Sequence, residues 1–235
     1  MTDLHCHILP GIDDGAKDVD TSIALLRQEK AVGVKNVIFT PHFDCSKTTL
    51  SEFLKKRESS FEKLLESLPV DLQDLNFKLG AEVFFSPALR GVDLGKLCYT
   101  DTSYLLIELP FVQKPQFLRE TLYDICCDGI TPIIAHVERY EYMLSDLTQV
   151  YDLVEAGNLI QTNGATIADG DRLIRKMIDW DLIQLVASDA HSEHRRPVIF
   201  DLSYEKLIQN GNDVFDNYEI VASPHFPKKT IFGWK

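Results

Sequence analysis

Seven short apolar runs, separated by amphipathic segments, constrain this chain most. They are Asp3–His7, Val34–Pro41, Asn76–Phe85, Tyr104–Pro110, Ile130–Val137, Leu159–Thr162 and Leu182–Ser188. Several are too apolar to leave one face in water, which is the pattern of parallel strands covered on both sides. Helical patterns lie between them. Thr49-x-x-Glu52 is a capping box, followed by Leu50, Phe53, Leu54, Phe61, Leu64, Leu65 and Leu68 on one face and Pro69 after the end. A first helix is predicted from about Asp20 to Ala31, stopping at Gly33. Pro115 suits a first helical turn, with Leu118, Leu122, Ile125 and Cys126 as a stripe and Gly129 as terminator. Ser145 is a predicted cap for a helix carrying Leu147, Val150, Tyr151 and Val154 and closed by Gly157, and Leu173, Ile174, Met177 and Ile178 mark another. Seven strand–helix units predict an α/β chain folded as a closed or nearly closed β/α barrel, with a doubly wound open sheet as the alternative. A length of 235 residues without linker or repeat suits one domain, 1–235.

Composition removes several classes. No run of 18 apolar residues occurs, so no membrane insertion is expected, and the opening Met-Thr-Asp-Leu-His-Cys-His lacks the basic and apolar regions of a signal peptide. With 24 Lys and Arg against 36 Asp and Glu, the net charge of −12 disfavours a nucleic-acid partner. Five cysteines, two of them adjacent and none in a Cys-x-x-Cys pair, suit a reduced, cytoplasmic protein.

Metal-binding residue types recur at the ends of the apolar runs: His5 and His7, His42, Glu82, Glu108, His136, and Asp189 with His191. In a β/α barrel the C-terminal strand ends converge on one face, where active sites are built. His5 and His7 alternate with Cys6 and so point to one side. The turn Pro10-Gly-Ile-Asp-Asp-Gly15 is placed to aim Asp14 back at the same cleft. Five histidines and four carboxylates exceed what one ion can use, so two or three metals with a bridging carboxylate are expected. Nitrogen and oxygen donors without thiolate suit Mn²⁺, Fe²⁺ or Zn²⁺. Several divalent ions would turn the cleft positive inside an acidic protein, a trap for phosphate. Arg139, three residues past His136, and Arg195–Arg196, after His191, read either as contacts for phosphate oxygens or as solvated salt bridges at the rim of the cleft. Glu138 reads as structural, and His194 and His225 as surface or supporting residues.

Other chemistries find no signature. The chain has no Cys-x5-Arg phosphate loop, no G-x-x-x-x-G-K-[ST], no G-x-G-x-x-G and no G-x-S-x-G elbow. Cys126 and Cys127 lie on a predicted helix and read as packing residues.

The motifs Asp3-Leu-His5-Cys-His7, Thr40-Pro-His42, Gly80-Ala-Glu82, Ala135-His136 and Ser188-Asp189-Ala-His191 resemble those of the PHP (polymerase and histidinol phosphatase) superfamily. The opening His5-Cys-His-Ile-Leu-Pro-Gly-Ile-Asp-Asp-Gly15, with Ile107-Glu108 and His136-Val-Glu-Arg139, is similar to the CpsB/CapC branch, bacterial manganese-dependent protein-tyrosine phosphatases of capsule and exopolysaccharide synthesis. The resemblance covers residues 1 to about 200 and does not extend to the ending Ser223–Lys235. It implies a distorted (β/α)7 barrel with three metals. His5, His7, Glu82 and Asp189 would hold the first, Glu82 as bridge with Glu108 and His136 the second, and Asp14, His42 and His191 the third. Arg139 and Arg196 would bind phosphate, and the partner would be the phosphorylated tail of a bacterial tyrosine autokinase. The reaction then expected is phosphomonoester hydrolysis by a hydroxide bridging two ions. Its rivals are a histidinol-phosphatase-like or nuclease phosphoesterase and a regulator that binds a phosphorylated tail without turning it over. The oligomeric state is not readable from the sequence.

Overall fold

The computed structural model describes residues 1–199; the remainder of the expected 1–235 domain, with His225 and Ser223–Lys235, lies outside the described residues. The seven apolar runs become nine strands: β1 (Thr2–Cys6), β2 (Asn36–Phe39), β3 (His42–Phe43), β4 (Asn76–Leu79), β5 (Glu82–Phe84), β6 (Tyr104–Glu108), β7 (Thr131–Ile134), β8 (Leu159–Asn163) and β9 (Leu185–Ala187). They form a three-stranded sheet, β1-β2-β4, and a six-stranded sheet, β3-β5-β6-β7-β8-β9. Every pairing is parallel.

The second run holds only β2, and β3 follows its end after a break, whereas the third run is itself broken between β4 and β5. Pro41, which has no amide hydrogen to donate, falls in the first break, and Gly80 in the second. Backbone bonds still cross both gaps, from Gly80 N to Phe39 O (2.8 Å) and from Glu82 N to Pro41 O (3.1 Å). On the other flank, Asp189 N donates to His5 O (2.8 Å) and His7 N to Ala190 O (2.9 Å), tying β1 to the segment after β9.

The helices follow the apolar stripes. In α1 (Val19–Ala31), Asp18 caps by accepting from Thr21 N. In α2 (Leu50–Glu66), the Thr49–Glu52 capping box is present in both directions. The next helix, α3 (Leu118–Cys127), starts three residues after Pro115 rather than at it, because Phe117 turns into the left-handed region at φ 57°. Short α4 (Glu141–Leu144) precedes α5 (Thr148–Glu155). Ser145 does not cap α5: its hydroxyl donates to Tyr142 O, and Asp146 accepts from Thr148 N. Then come α6 (Gly164–Ala168) and α7 (Arg172–Asp179). The expected seven strand–helix units are therefore incomplete. Between β5 and β6 the chain makes only two short 3₁₀ turns, Pro87–Gly91 and Leu94–Lys96.

Both strand faces are buried, which explains the near-continuous apolar runs. Leu105 and Ile107 of β6 join Leu25, Phe53, Leu122, Leu153 and Met177 of the helices in one core. Their neighbours Tyr104 and Leu106 join Leu4, Ile38, Ile133, Leu159 and Leu185 in a second. The second core draws on strands of both sheets.

Candidate active site

The C-terminal ends of the strands bring together the nine residues that the sequence singles out. β1 delivers His5 and, one step beyond it, His7, whose Nε2 atoms approach to 3.2 Å. Two imidazole nitrogens that close face a common point. Glu82, the first residue of β5, lies between them and the next histidines. Its Oε2 is 3.3 Å from His5 Nε2, 3.1 Å from His7 Nε2 and 3.0 Å from His42 Nδ1, and its Oε1 is 2.9 Å from His136 Nε2. Glu108, at the end of β6, stands 3.6 Å from His136 Nε2 and 4.0 Å from His42 Nδ1. Asp189 Oδ1 is 3.4 Å from His5 Nε2 and 3.5 Å from His191 Nδ1. Asp14, the most exposed of the nine, places Oδ1 3.3 Å from His42 Nε2 and 3.6 Å from His191 Nε2.

Three overlapping sets of these donors are close enough to hold a cation: His5, His7 and Asp189; His42, Glu82 and Glu108; and His7, Asp14, His42 and His191. The residues also fit a cation in a second respect. Asp189 Oδ1 and His191 Nε2 are buried and have no hydrogen-bond partner, and such an atom is costly to bury unless something binds it.

The turn after β1 is built around close approaches. A Cβ on Gly15 would lie 2.0 Å from His7 O, so only glycine fits there. Asp13, which the sequence reading passed over in favour of Asp14, is the organising residue of this turn. Its carboxylate accepts from Gly15 N (3.0 Å) and His42 N (3.1 Å) and lies 2.8 Å from His7 Nδ1. Gln161 of β8 is a second such residue, with Oε1 2.7 Å from His136 N and 3.2 Å from His5 Nδ1. Its signal was one amide side chain inside an otherwise apolar run. Asn163 donates to Asp189 Oδ2 (2.8 Å). Glu138 accepts from Thr162 Oγ1, Asn163 N and Thr166 Oγ1, a structural role.

Two residues of the cluster sit in the left-handed backbone region, His136 at φ 28° and Asp189 at φ 53°. Such conformations are costly for residues other than glycine and gather at functional sites.

The charges are strongly interdependent. Burial alone would raise the Glu82 carboxyl, but the surrounding His5, His136 and His42 hold it well below the usual range. Burial and the charge of Glu82 push Glu108 up. Burial alone would lower His7, yet the Asp13 and Glu82 carboxylates hold it well above the usual imidazole value. Burial and the neighbouring His7 lower His191 to about 3, which keeps its imidazole neutral.

Both expected arginines reach the rim. Arg196 Nη2 bonds Asp189 Oδ2, and Arg139 Nη1 is 4.0 Å from the same oxygen. Arg139 also stacks over the Phe111 ring, 4.4 Å from its centroid. Arg195 and His194 are exposed. All five cysteines are free, and among the described residues no helix is long and apolar enough to cross a membrane.

The chain is similar to the tyrosine-protein phosphatase YwqE of Bacillus subtilis, 31% identical over 100% of both chains. It is 29% identical to the tyrosine-protein phosphatase CpsB of Streptococcus pneumoniae, over 87% of this chain and 88% of that one. A solved structure, from work describing YwqE from Bacillus subtilis and CpsB from Streptococcus pneumoniae as unique metal-dependent tyrosine phosphatases, matches with a TM-score of 0.79. It is 28% identical and covers 90% of this chain and 88% of its own. The family described as "Capsular polysaccharide synthesis, CpsB/CapC" matches residues 1–217, and the chain belongs to that family.

Proposed function

We propose that this protein is a metal-dependent protein-tyrosine phosphatase. The observation that carries the reading is the convergence of four histidines and four carboxylates in sets able to hold a cation, with His136 against Glu82 beside them and two buried atoms, Asp189 Oδ1 and His191 Nε2, left without a hydrogen-bond partner. His5, His7, Glu82 and Asp189 would hold a first ion, Glu82, Glu108 and His136 a second, and Asp14, His42 and His191 a third. The donor set of nitrogen and oxygen suits manganese, with iron or zinc also compatible. Divalent ions bound here supply an acidified water and neutralise phosphoryl charge.

The chain's own residues supply the remainder. Asp13 and Gln161 fix the rings of His7 and His5, as partners behind metal ligands do. Arg139 and Arg196 stand at the rim, where their guanidinium groups can take the phosphate oxygens and the charge that develops on them. The leaving phenolate of tyrosine, with an ordinary pKa of about 10, needs less protonation than an alkoxide would. No cysteine is required.

The fold is read as a distorted (β/α)7 barrel. Its support is the pair of backbone bonds joining β1 to the segment after β9, and the inner core shared by strands of both sheets. The substrate is read as the phosphorylated tail of a bacterial tyrosine kinase, in keeping with the capsular polysaccharide synthesis family and its tyrosine-phosphatase relatives. Free cysteines suit the cytoplasm, where such a tail would be met.

The test is a panel of phosphotyrosine peptide, phosphoserine peptide and histidinol phosphate, assayed with added Mn²⁺. Turnover concentrated on the phosphotyrosine peptide is expected. A preference for histidinol phosphate, or binding of the phosphopeptide without turnover, would contradict the reading.

A further inference from the structure

A second feature opens beside the cluster. Phe84, Phe85, Pro87, Pro110, Pro115 and Phe117 line a cavity of about 300 Å³, with the polar Asp44, Ser46, Ser86 and Gln116 at its edges. Asp44, Phe84 and Pro110 each stand two residues beyond a residue of the cluster: His42, Glu82 and Glu108. In extended chain, residues two apart share a face and lie roughly 6–7 Å apart along the strand. Three of the cavity's residues thus follow, two positions on, three residues of the candidate active site.

The loop from Pro110 to Phe117, whose two ends line the cavity, exposes apolar side chains alongside Gln113, Lys114 and Gln116. Phe111 is 40% exposed, Val112 95% and Phe117 59%, all within seven residues at the rim of the site. Exposed apolar side chains gathered in one place mark a binding surface, whereas scattered ones mean little. Phe117 is also held at φ 57°, a conformation unfavourable for a bulky residue, with its side chain at the cavity. Asp44 is already engaged by Ser46 and Lys47, so the cavity offers aromatic and proline surface more than charge.

We infer that this cavity seats a large apolar side chain of the substrate peptide, next to the phosphotyrosine. The inference rests on the proposed phosphatase reading and extends it to peptide specificity. Consecutive residues of a peptide are about 3.8 Å apart, so a neighbour one or two positions from the phosphotyrosine reaches the cavity while the phosphate lies at the cluster. An aromatic or branched aliphatic side chain fits the space and the lining.

The test compares kcat/KM on phosphotyrosine peptides that differ only in carrying Leu or Ala at positions flanking the phosphotyrosine, with the wild-type chain loaded with Mn²⁺. A Leu-over-Ala preference of about 10-fold or more is expected at one flanking position, the scale of burying a leucine side chain. Gln116→Trp, which fills the cavity, and Phe117→Gly, which removes its wall and relaxes the backbone, should each bring that ratio toward one. The ratio is internal to each protein, so a general loss of activity does not imitate the effect. Equal rates of the wild type on all the peptides would overturn the inference while leaving the phosphatase reading intact. Equal rates together with self-association in sedimentation would assign the face to a second copy of the chain. A preference that survives both substitutions would also overturn it. Failure of the wild type to hydrolyse any of the peptides would overturn the phosphatase reading itself.

Discussion

Asp189 is held from three directions: Asn163 and Arg196 bond one carboxylate oxygen, and the other, buried Oδ1 faces His5. Arg196 thus bonds a carboxylate of the cluster at the rim, and Arg139, stacked on Phe111, is held at the same rim. Arg139→Ala and Arg196→Ala should each keep the fold and the metals but lower kcat/KM on a phosphotyrosine peptide by about 10- to 150-fold, the worth of a charge-assisted contact of roughly 1.5–3 kcal/mol. Arg195→Ala, at an exposed position, should change little. A silent Arg196→Ala beside a crippled Arg195→Ala would shift the phosphate contact by one residue. At this scale the sequence was informative about donors and mute about their supports. The histidines and carboxylates announced themselves by type and position. Asp13 did not, because in an Asp-Asp turn nothing but the folded backbone decides which carboxylate turns inward. The left-handed backbone at His136 and Asp189 had no sequence signal either, since neither residue type demands it.

Among the elements, α2 was the most legible, because its start is written as side chains: Thr49 accepts from Glu52 N, and the Glu52 carboxylate accepts from Thr49 N. Thr49→Ala removes one half of that box. It should cost about 1 kcal/mol and lower the melting temperature by about 2–4 °C. Calorimetry checks this, and an unchanged melting temperature would mean the helix start is held by its packing alone. Periodicity located every strand but β3, and not the breaks at Pro41 and Gly80. A break changes which neighbour the backbone bonds, not the apolar pattern. The start of α3 was misjudged for a related reason. Pro115 is compatible with a first turn, yet the left-handed Phe117 delays the helix to Leu118. The segment between β5 and β6 has no amphipathic stripe, and the chain makes only 3₁₀ turns there.

For the whole molecule, stability and activity respond to different groups. On α1, Glu29 is fully buried beside Asp3 and Ser188. Burial, and then the nearby Asp3 charge, push it well above the ordinary carboxylate range. A carboxyl raised in this way contributes stability that is fully present below its unfolded pKa of about 4.3. That contribution is lost as pH rises through the folded value. Glu29→Gln should therefore raise the melting temperature at pH 8 more than at pH 5; an equal effect at both would show that Glu29 titrates as an ordinary carboxyl. Activity, by contrast, should follow the occupancy of the cluster. The most direct measurement strips the protein of metal with EDTA, verifies the loss by elemental analysis, and follows phosphotyrosine-peptide hydrolysis as Mn²⁺ is returned, with a parallel sample alkylated by iodoacetamide. Hydrolysis should be absent without metal, rise with each equivalent bound until the cluster is filled, and be the same in the alkylated sample. Hydrolysis by the metal-free protein, or its loss on alkylation, would contradict a metal-dependent phosphatase built on these nine residues.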